Sequence, residues 1–218
     1  MSEGNSRAIT TNQLGVHDKL DALVEKYKHS VNQRPIGAHT QAAFDEASEW
    51  LASGSGEIIL DSCCGVGEST ANLARENPDC RVIGLDKSEL RVGKHAHYSA
   101  GQDNYRVIRA DVNDFWRLVN QHKWQVKQHY LLYPNPYPKK TQIQKRWHAS
   151  AAMPDLMAIC QDVEVRSNWQ IYVEEFTQAA AHYGLHGVVK PIDTTHPMTP
   201  FERKYSSSGQ ACWRVHLT

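Results

Sequence analysis

Asp61-Ser62-Cys63-Cys64-Gly65-Val66-Gly67-Glu68-Ser69 is the segment whose residue types bear most directly on chemistry. It follows a short apolar run, Glu57–Asp61, and opens a helical stretch, Glu68–Glu76. Two glycines one residue apart let a backbone turn tightly and lie close to a ligand. The spacing is not that of a dinucleotide fingerprint, because position 63 is Cys and position 70 is Thr. No Gly-Lys-Ser/Thr comes after it either, so it is not a P-loop. Alone, the pair could be an ordinary tight turn. Asp86 changes the reading. It ends the next β-type run about twenty residues beyond the glycines, where a carboxylate can accept from ribose hydroxyls. Asp111 ends a third run and could accept from an adenine amine. The glycine loop holds no Lys or Arg, which a pyrophosphate cofactor would favour. A sulfonium cofactor without phosphate suits acidic strand ends better. The cofactor expected is therefore S-adenosylmethionine, held by Asp61, Cys63, Gly65, Gly67, Asp86 and Asp111. Lys87 and Val112, which follow two of the carboxylates, are counted with them, as is Asn135.

A second motif comes after the fourth apolar run: Tyr133-Pro134-Asn135-Pro136-Tyr137-Pro138-Lys139-Lys140. Three prolines leave such a loop few conformations to lose on binding. It could be a turn without chemistry, yet rigid loops at strand ends often carry function. From Phe115 to Pro154 there is no acidic residue, although the chain as a whole balances 24 Lys and Arg against 24 Asp and Glu. That stretch carries Arg117, Lys123, Lys127, Lys139, Lys140, Lys145 and Arg146, with Trp116, Trp124, Tyr130, Tyr133, Tyr137 and Trp147 between them. A solvated face with core aromatics would explain it. A phosphate-bearing partner would too.

Alternating elements must position these loops. Residues 16–30 and the Ala43–Leu51 stripe read as amphipathic helices at the N-terminus. Strands are expected at Glu57–Asp61, Arg81–Asp86, Tyr105–Asp111, His129–Tyr133, Trp169–Val173, Gly187–Ile192 and Ala211–Leu217. Helices are expected at Glu68–Glu76, Val112–Gln121, Trp147–Cys160 and Glu175–Tyr183, with Ser88 as a cap. This alternation predicts an α/β, doubly wound, mostly parallel seven-stranded sheet. The expected organisation is a loose tail over 1–15 and one domain over 16–218. Within that domain, 16–54 are N-terminal helices and 55–218 the catalytic core.

The motifs, in their order, resemble those of the bacterial tRNA (guanine-N7)-methyltransferase family. Asp61, Cys64, Gly65, Gly67 and Ser69 match its first loop. Tyr133–Lys140 with Lys145-Arg146 resembles its strand-four loop, and Thr199-Pro200-Phe201-Glu202-Arg203-Lys204 its T-x-F-E-x-K segment. The resemblance covers roughly 57–218. It implies a class I methyltransferase fold, tRNA as acceptor and guanine N7 as target. Asn135, Tyr137 and Glu175 then become the catalytic candidates. Lys139, Lys140, Arg146, Glu175, Thr199 and Glu202 become substrate-binding. The family's loop aspartate is Asn135 here, its glycine before the cysteine is Cys63, its Pro-Trp is Pro136-Tyr137, and its Thr-Asp after strand five reads as Glu174-Glu175. Two alternatives stay open: methylation of an exocyclic amine or a small molecule, and an RNA-binding relative without turnover.

Composition sets outer bounds. Hydrophobic residues make up 40% and charged residues 22%, as in a globular protein. No apolar run is long enough to span a bilayer, and residues 1–13 lack a signal core, so a cytoplasmic protein is expected. Five cysteines without C-x-x-C predict reduced thiols. Twelve histidines without H-E-x-x-H spacing predict no metal site. The oligomeric state stays open between monomer and homodimer.

Overall fold

The computed structural model describes residues 6–98 and 101–218. Its helices are α1 (Leu20–Lys28), α2 (Ala38–Ala52), α3 (Glu68–Glu76), α4 (Glu89–Val92), α5 (Val112–Gln121), α6 (Met153–Ile159), α7 (Gln170–Ala181) and α8 (Pro200–Ser207). Its strands are β1 (Glu57–Ser62), β2 (Cys80–Asp86), β3 (Tyr105–Arg109), β4 (Val126–Leu132), β5 (Val163–Ser167), β6 (Lys190–Pro191) and β7 (Trp213–Leu217). These elements divide into two compact units. One comprises Arg34–Leu132 with Ala158–Cys160. The other comprises the segment up to Gln33, Tyr133–Met157 and Gln161–Thr218.

In the first unit four strands lie in the order β3-β2-β1-β4, and every pair is parallel. Parallel strands covered on both faces read as continuous apolar runs. β2 behaves this way: Val82, Ile83, Leu85 and Asp86 are all buried. Opposite Asp61 of β1 stands Gly84 of β2, where a Cβ would collide with Thr70 and Cys64. That bare position lets the start of α3 sit on the sheet. α5 buries Phe115, Trp116, Leu118 and Val119 on one face. Phe44 of α2 meets Phe115 edge-on at 5.3 Å and stacks on Trp124 at 4.6 Å. The hydroxyl of Thr40 in α2 accepts from the Asp111 backbone N–H at 3.0 Å, which ties α2 to the start of α5.

The second unit has strands in the order β5-β7-β6, with both pairs antiparallel. α7 buries Tyr172, Val173, Phe176, Ala179 and Ala180, and α1 buries Leu20, Leu23 and Val24. His182, just past α7, lies between Asp21 (2.9 Å) and Glu25 (2.7 Å) of α1.

The seven strands and the alternation agree with the sequence expectation, and α3 and α5 have the expected bounds. Ser88 caps α4 as expected, accepting from the Arg91 N–H. The fifth strand differs. It is Val163–Ser167, not Trp169–Val173, and Trp169 is the cap of α7. Val163 and Val165 alternate with Glu164 and Arg166, the period of a strand. Tyr172, Val173 and Phe176 have helical spacing despite their β-type side chains. The helix expected over Trp147–Cys160 is a 3-10 turn at Trp147–Ala149 followed by α6. Gly187–Ile192 pairs only at Lys190–Pro191. Val16 is 38% exposed and precedes α1. The loose tail expected over 1–15 is not loose at Thr11–Gln13, which are hydrogen-bonded to the rest of their unit. Residues 1–5 of that expectation lie outside the described residues.

Candidate functional site

The glycine loop is built in the first unit from the end of β1. Asp61 is fully buried. Its Oδ2 accepts from Ser69 Oγ at 2.6 Å and Thr70 Oγ1 at 2.7 Å, which fastens the first turn of α3 to the strand. Its Oδ1 has no partner. Burial raises the Asp61 carboxyl to about 6, against the help of those two hydroxyls. Cys63 turns the chain with φ 63°, a left-handed conformation that costs a non-glycine residue energy and collects at functional sites. Burial and the neighbouring Asp86 push its thiol up to about 12. Gly67 has φ 77°, and a Cβ there would lie 2.6 Å from both His95 and Val107. His95 braces this loop: Nδ1 is 3.0 Å from Val66 O and Nε2 is 3.0 Å from the Tyr105 hydroxyl. Nothing in the spacing of His95 singled it out beforehand.

Asp86 ends β2 as expected. Its Oδ2 accepts from Gly65 N at 3.1 Å. Its Oδ1 accepts from Ser88 N at 2.7 Å and from Arg91, with Nη2 at 2.9 Å. Asp111 lies past the end of β3 and caps α5, its Oδ1 accepting from Asn113 N and Asp114 N. Each of the three carboxylates therefore has a local structural task as well as a candidate ligand role. Lys87 is exposed and Val112 is buried at the first position of α5. S-adenosylmethionine fits this donor set. Its ammonium group matches the orphaned Asp61 Oδ1, and Asp86 Oδ2 has accepting capacity left for a ribose hydroxyl.

The expected acceptor-side residues all belong to the second unit. Tyr133 and Tyr137 have φ 56° and 46°, so the proline loop is held in an uncommon shape. Asn135 is exposed, and its Oδ1 accepts from Tyr137 N at 3.3 Å. Lys139 and Lys140 are exposed, with Lys140 Nζ 3.4 Å from Asp18. Lys145 Nζ lies 5.8 Å from the Tyr137 ring centroid.

Four of the expected acceptor-side residues are buried. Arg146 is 1% exposed. It pairs with Glu175 at 2.6 Å, donates to Gln13 Oε1 and to the carbonyls of Tyr137 and Lys139, and stacks on Trp169. Glu175 is fully buried in α7 and accepts from Gln13, His17 N, Arg146 and His148. Burial alone would raise its carboxyl, but the donors His148 and Arg146 reverse that and hold it well below the usual range. Both of its oxygens are bonded within the protein. Glu202 is fully buried too. It accepts from the Tyr133 hydroxyl at 2.9 Å and Arg166 at 3.1 Å. Thr199 caps α8, its hydroxyl accepting from Glu202 N. These residues position the loop and the helix around them.

The fifth strand runs into Ser167-Asn168, where Asn168 Nδ2 donates to Gln210 Oε1 at 2.9 Å, and Glu174-Glu175 lie within α7. The alternation in Val163-Glu164-Val165-Arg166 was the signal that could have found the strand. Among the described residues no cluster of His, Cys, Asp and Glu could hold a metal, and no disulfide links the cysteines. No described helix is long and apolar enough to cross a membrane.

A mostly parallel α/β fold with a glycine turn after β1 and a carboxylate ending β2 defines a Rossmann-like class I methyltransferase. The chain belongs to the methyltransferase family described as "Putative methyltransferase", whose model matches residues 55–215. It is similar to the tRNA (guanine-N(7)-)-methyltransferase of Christiangramia forsetii, 24% identical over 218 residues, covering 90% of this chain and 96% of that protein. The tRNA (guanine-N(7)-)-methyltransferase of Streptococcus pneumoniae (strain CGSP14) is 25% identical over 169 residues, covering 72% and 79%. Among solved structures, an antibiotic-related methyltransferase matches with TM-score 0.59 at 14% identity, covering 88% of this chain and 97% of that one. The 16S rRNA methyltransferase KamB matches with TM-score 0.58 at 17% identity, covering 79% and 93%.

Proposed function

We propose that the protein transfers the methyl group of S-adenosylmethionine to N7 of guanine in tRNA. The observation that carries this reading is the family match over 55–215, together with relatives of that activity aligned over as much as 90% of the chain. When bound, the cofactor supplies an electrophilic methyl group on a sulfonium. The N7 lone pair forms the new C–N bond, the C–S bond breaks, and its electron pair stays on sulfur. No proton has to leave N7, so no strong general base is required, and orientation dominates the rate. That agrees with Glu175 being spent on structure. Asp61 Oδ1 takes the cofactor ammonium, Asp86 the ribose hydroxyls, and Asp111 through Oδ2 the adenine amine. Cys63, Gly65 and Gly67 shape the loop, and Lys87 and Val112 flank it. Asn135 and Tyr137 meet the base, with Tyr137 stacking. Lys139, Lys140 and Lys145 meet phosphates, which position RNA without reading its sequence.

Incubation with labelled S-adenosylmethionine and unmodified total tRNA, then nucleoside mapping, tests the proposal. The expected product is 7-methylguanosine. Label on any other atom, or none, would sink it.

A second reading has its own support: asparagine stands at both loops that leave β4 and β5, Asn135 and Asn168. A side-chain carbonyl can accept an N–H from an exocyclic amine and orient its lone pair. Asn135→Asp separates the readings. N7 becomes cationic on methylation, so a carboxylate should keep or raise turnover. An amine acceptor should lose about tenfold or more through misplacement.

A further inference from the structure

The Tyr137–Lys140 loop is held largely from outside itself. Pro134, Pro136 and Pro138 have no N–H to donate. Local bonds are few: Tyr137 N to Asn135 Oδ1 and Lys139 N to Gln142 Oε1, each 3.3 Å, and Gln142 N to Lys139 O at 2.8 Å. Its other polar groups are bonded by residues outside the loop. The Thr11 hydroxyl donates to Pro138 O at 2.6 Å. Lys140 N donates to Asn12 Oδ1 at 2.9 Å. The carbonyls of Tyr137 and Lys139 accept from Arg146, whose Nη2 also donates to Gln13 Oε1 at 3.1 Å.

Gln13 is the anchor. It is 4% exposed while its neighbour Leu14 is 99% exposed, so no apolar burial accounts for its place. Both of its amide donors are used: Nε2 donates to Gly15 O at 2.7 Å and Glu175 Oε1 at 2.6 Å, and Oε1 accepts from Arg146. A buried amide with both donors paired defines a geometry, because a shift leaves a donor unpaired.

We propose that Thr11, Asn12 and Gln13 form a strap of positioning residues that sets the shape of the Tyr137–Lys140 loop for the acceptor base. The inference rests on the methyltransferase reading for its consequence, and on these hydrogen bonds for its structure. The strap touches no reacting atom. It acts through loop carbonyls and one loop N–H, so it should govern turnover rather than affinity.

The test uses the full chain with Thr11→Val and Asn12→Ala, singly and together; both spare the side-chain bonds of Gln13, Arg146 and Glu175, although Thr11→Val also removes the acceptor of Gln13 N. Thr11→Ser serves as rescue and Gln13→Met as the stronger lesion. Turnover and KM on unmodified tRNA, cofactor affinity by calorimetry, and amide exchange at Lys139 and Lys140 are measured. The double variant should lose about tenfold or more in kcat, the scale of a misplaced reactant, with cofactor Kd unchanged within about twofold. Thr11→Ser should retain the parent's kcat. An unchanged kcat in the double variant would overturn the proposal, and so would a loss that appears only as weaker cofactor binding. If the parent itself transfers no methyl group to tRNA, the acceptor reading has failed. The strap is then judged by exchange alone: faster exchange at the Lys140 amide in Asn12→Ala supports it, and unchanged exchange overturns it.

Discussion

Asp61 has one oxygen bonded to two hydroxyls and one facing nothing. Its carboxyl, raised to about 6 by burial, lies above the unfolded value of 3.8. Protonation therefore favours the folded state. The contribution is full below pH ~4 and is lost as pH rises through about 6, on the order of 3 kcal/mol in all. Asn keeps the acceptor for Ser69 and Thr70 and carries no charge. Asp61→Asn should flatten the stability–pH curve between about pH 4 and 7 and raise the melting temperature at pH 8. Denaturant melts across pH check this, and parallel curves for parent and variant would refute it. A ligand ammonium at Oδ1 restores the reason for the charge. Cofactor binding should then tighten as pH rises through about 6 and release a proton below it, an effect lost in Asp61→Asn. Calorimetry in buffers of differing ionisation enthalpy reads that proton. Asp86 calls for a paired experiment. Asp86→Ala should weaken cofactor binding by about 1.5–3 kcal/mol, the scale of a hydrogen bond to a charged group. Arg91, which pairs with Asp86 Oδ1, draws on the same carboxylate charge that the ribose would use through Oδ2. Arg91→Ala should therefore leave cofactor affinity equal or higher, and a loss as large as that of Asp86→Ala would place Arg91 among the ligand contacts instead.

At the scale of elements, α8 shows how a motif legible in the sequence also serves the helix that carries it. Thr199 and Glu202 were legible as a pair at positions i and i+3. That spacing is also a helix cap followed by a first-turn carboxylate, and the structure uses it so, with Glu202 turned onto Tyr133 and Arg166. Thr199→Ala should cost about 1 kcal/mol of stability, whereas Thr199→Ser should cost little, as thermal melts would show. Phe44 of α2, fully buried against Phe115 and Trp124, should cost about 3–5 kcal/mol as Phe44→Ala. The first four strands were legible because each apolar run ends in a turn signal or a carboxylate. β5 was hidden by Glu164 and Arg166, two charges that pair on one face (2.6 Å) and interrupt the apolar run. The cofactor loop was legible because its glycines and acids are close in sequence. The buried cluster was not: Gln13 and Glu175 are 162 positions apart, and burial of a charge cannot be read from a basic run. Arg146 looks like its lysine neighbours in sequence, and only packing separates it from them.

For the molecule as a whole, a neutral net charge hides a one-sided segment. Lys139, Lys140 and Lys145 are exposed, while Arg146 is sealed. Lys139→Ala with Lys140→Ala should weaken tRNA binding and reduce its salt slope by roughly one per lost phosphate contact. Lys139 should contribute more, because Asp18 already neutralises part of Lys140. A slope identical to the parent's would return the segment to an ordinary solvated face. Arg146→Ala should fail differently. It strands the Glu175 carboxylate in the core and should cost stability of about 3–5 kcal/mol.

The two units also differ in when the ribosome can finish them. The first draws on an almost continuous stretch, Arg34–Leu132, plus Ala158–Cys160. It can condense while the remainder is still being made. The second takes its strap from residues 11–13 and its partner strand β7 from Trp213–Leu217. The strap's contacts with Pro138 and Lys140 lie 127 and 128 positions away in sequence. Pairings this distant are slow to close. The glycine loop, built from neighbours in sequence, can thus be set while the Tyr137–Lys140 loop still waits for the segment that shapes it.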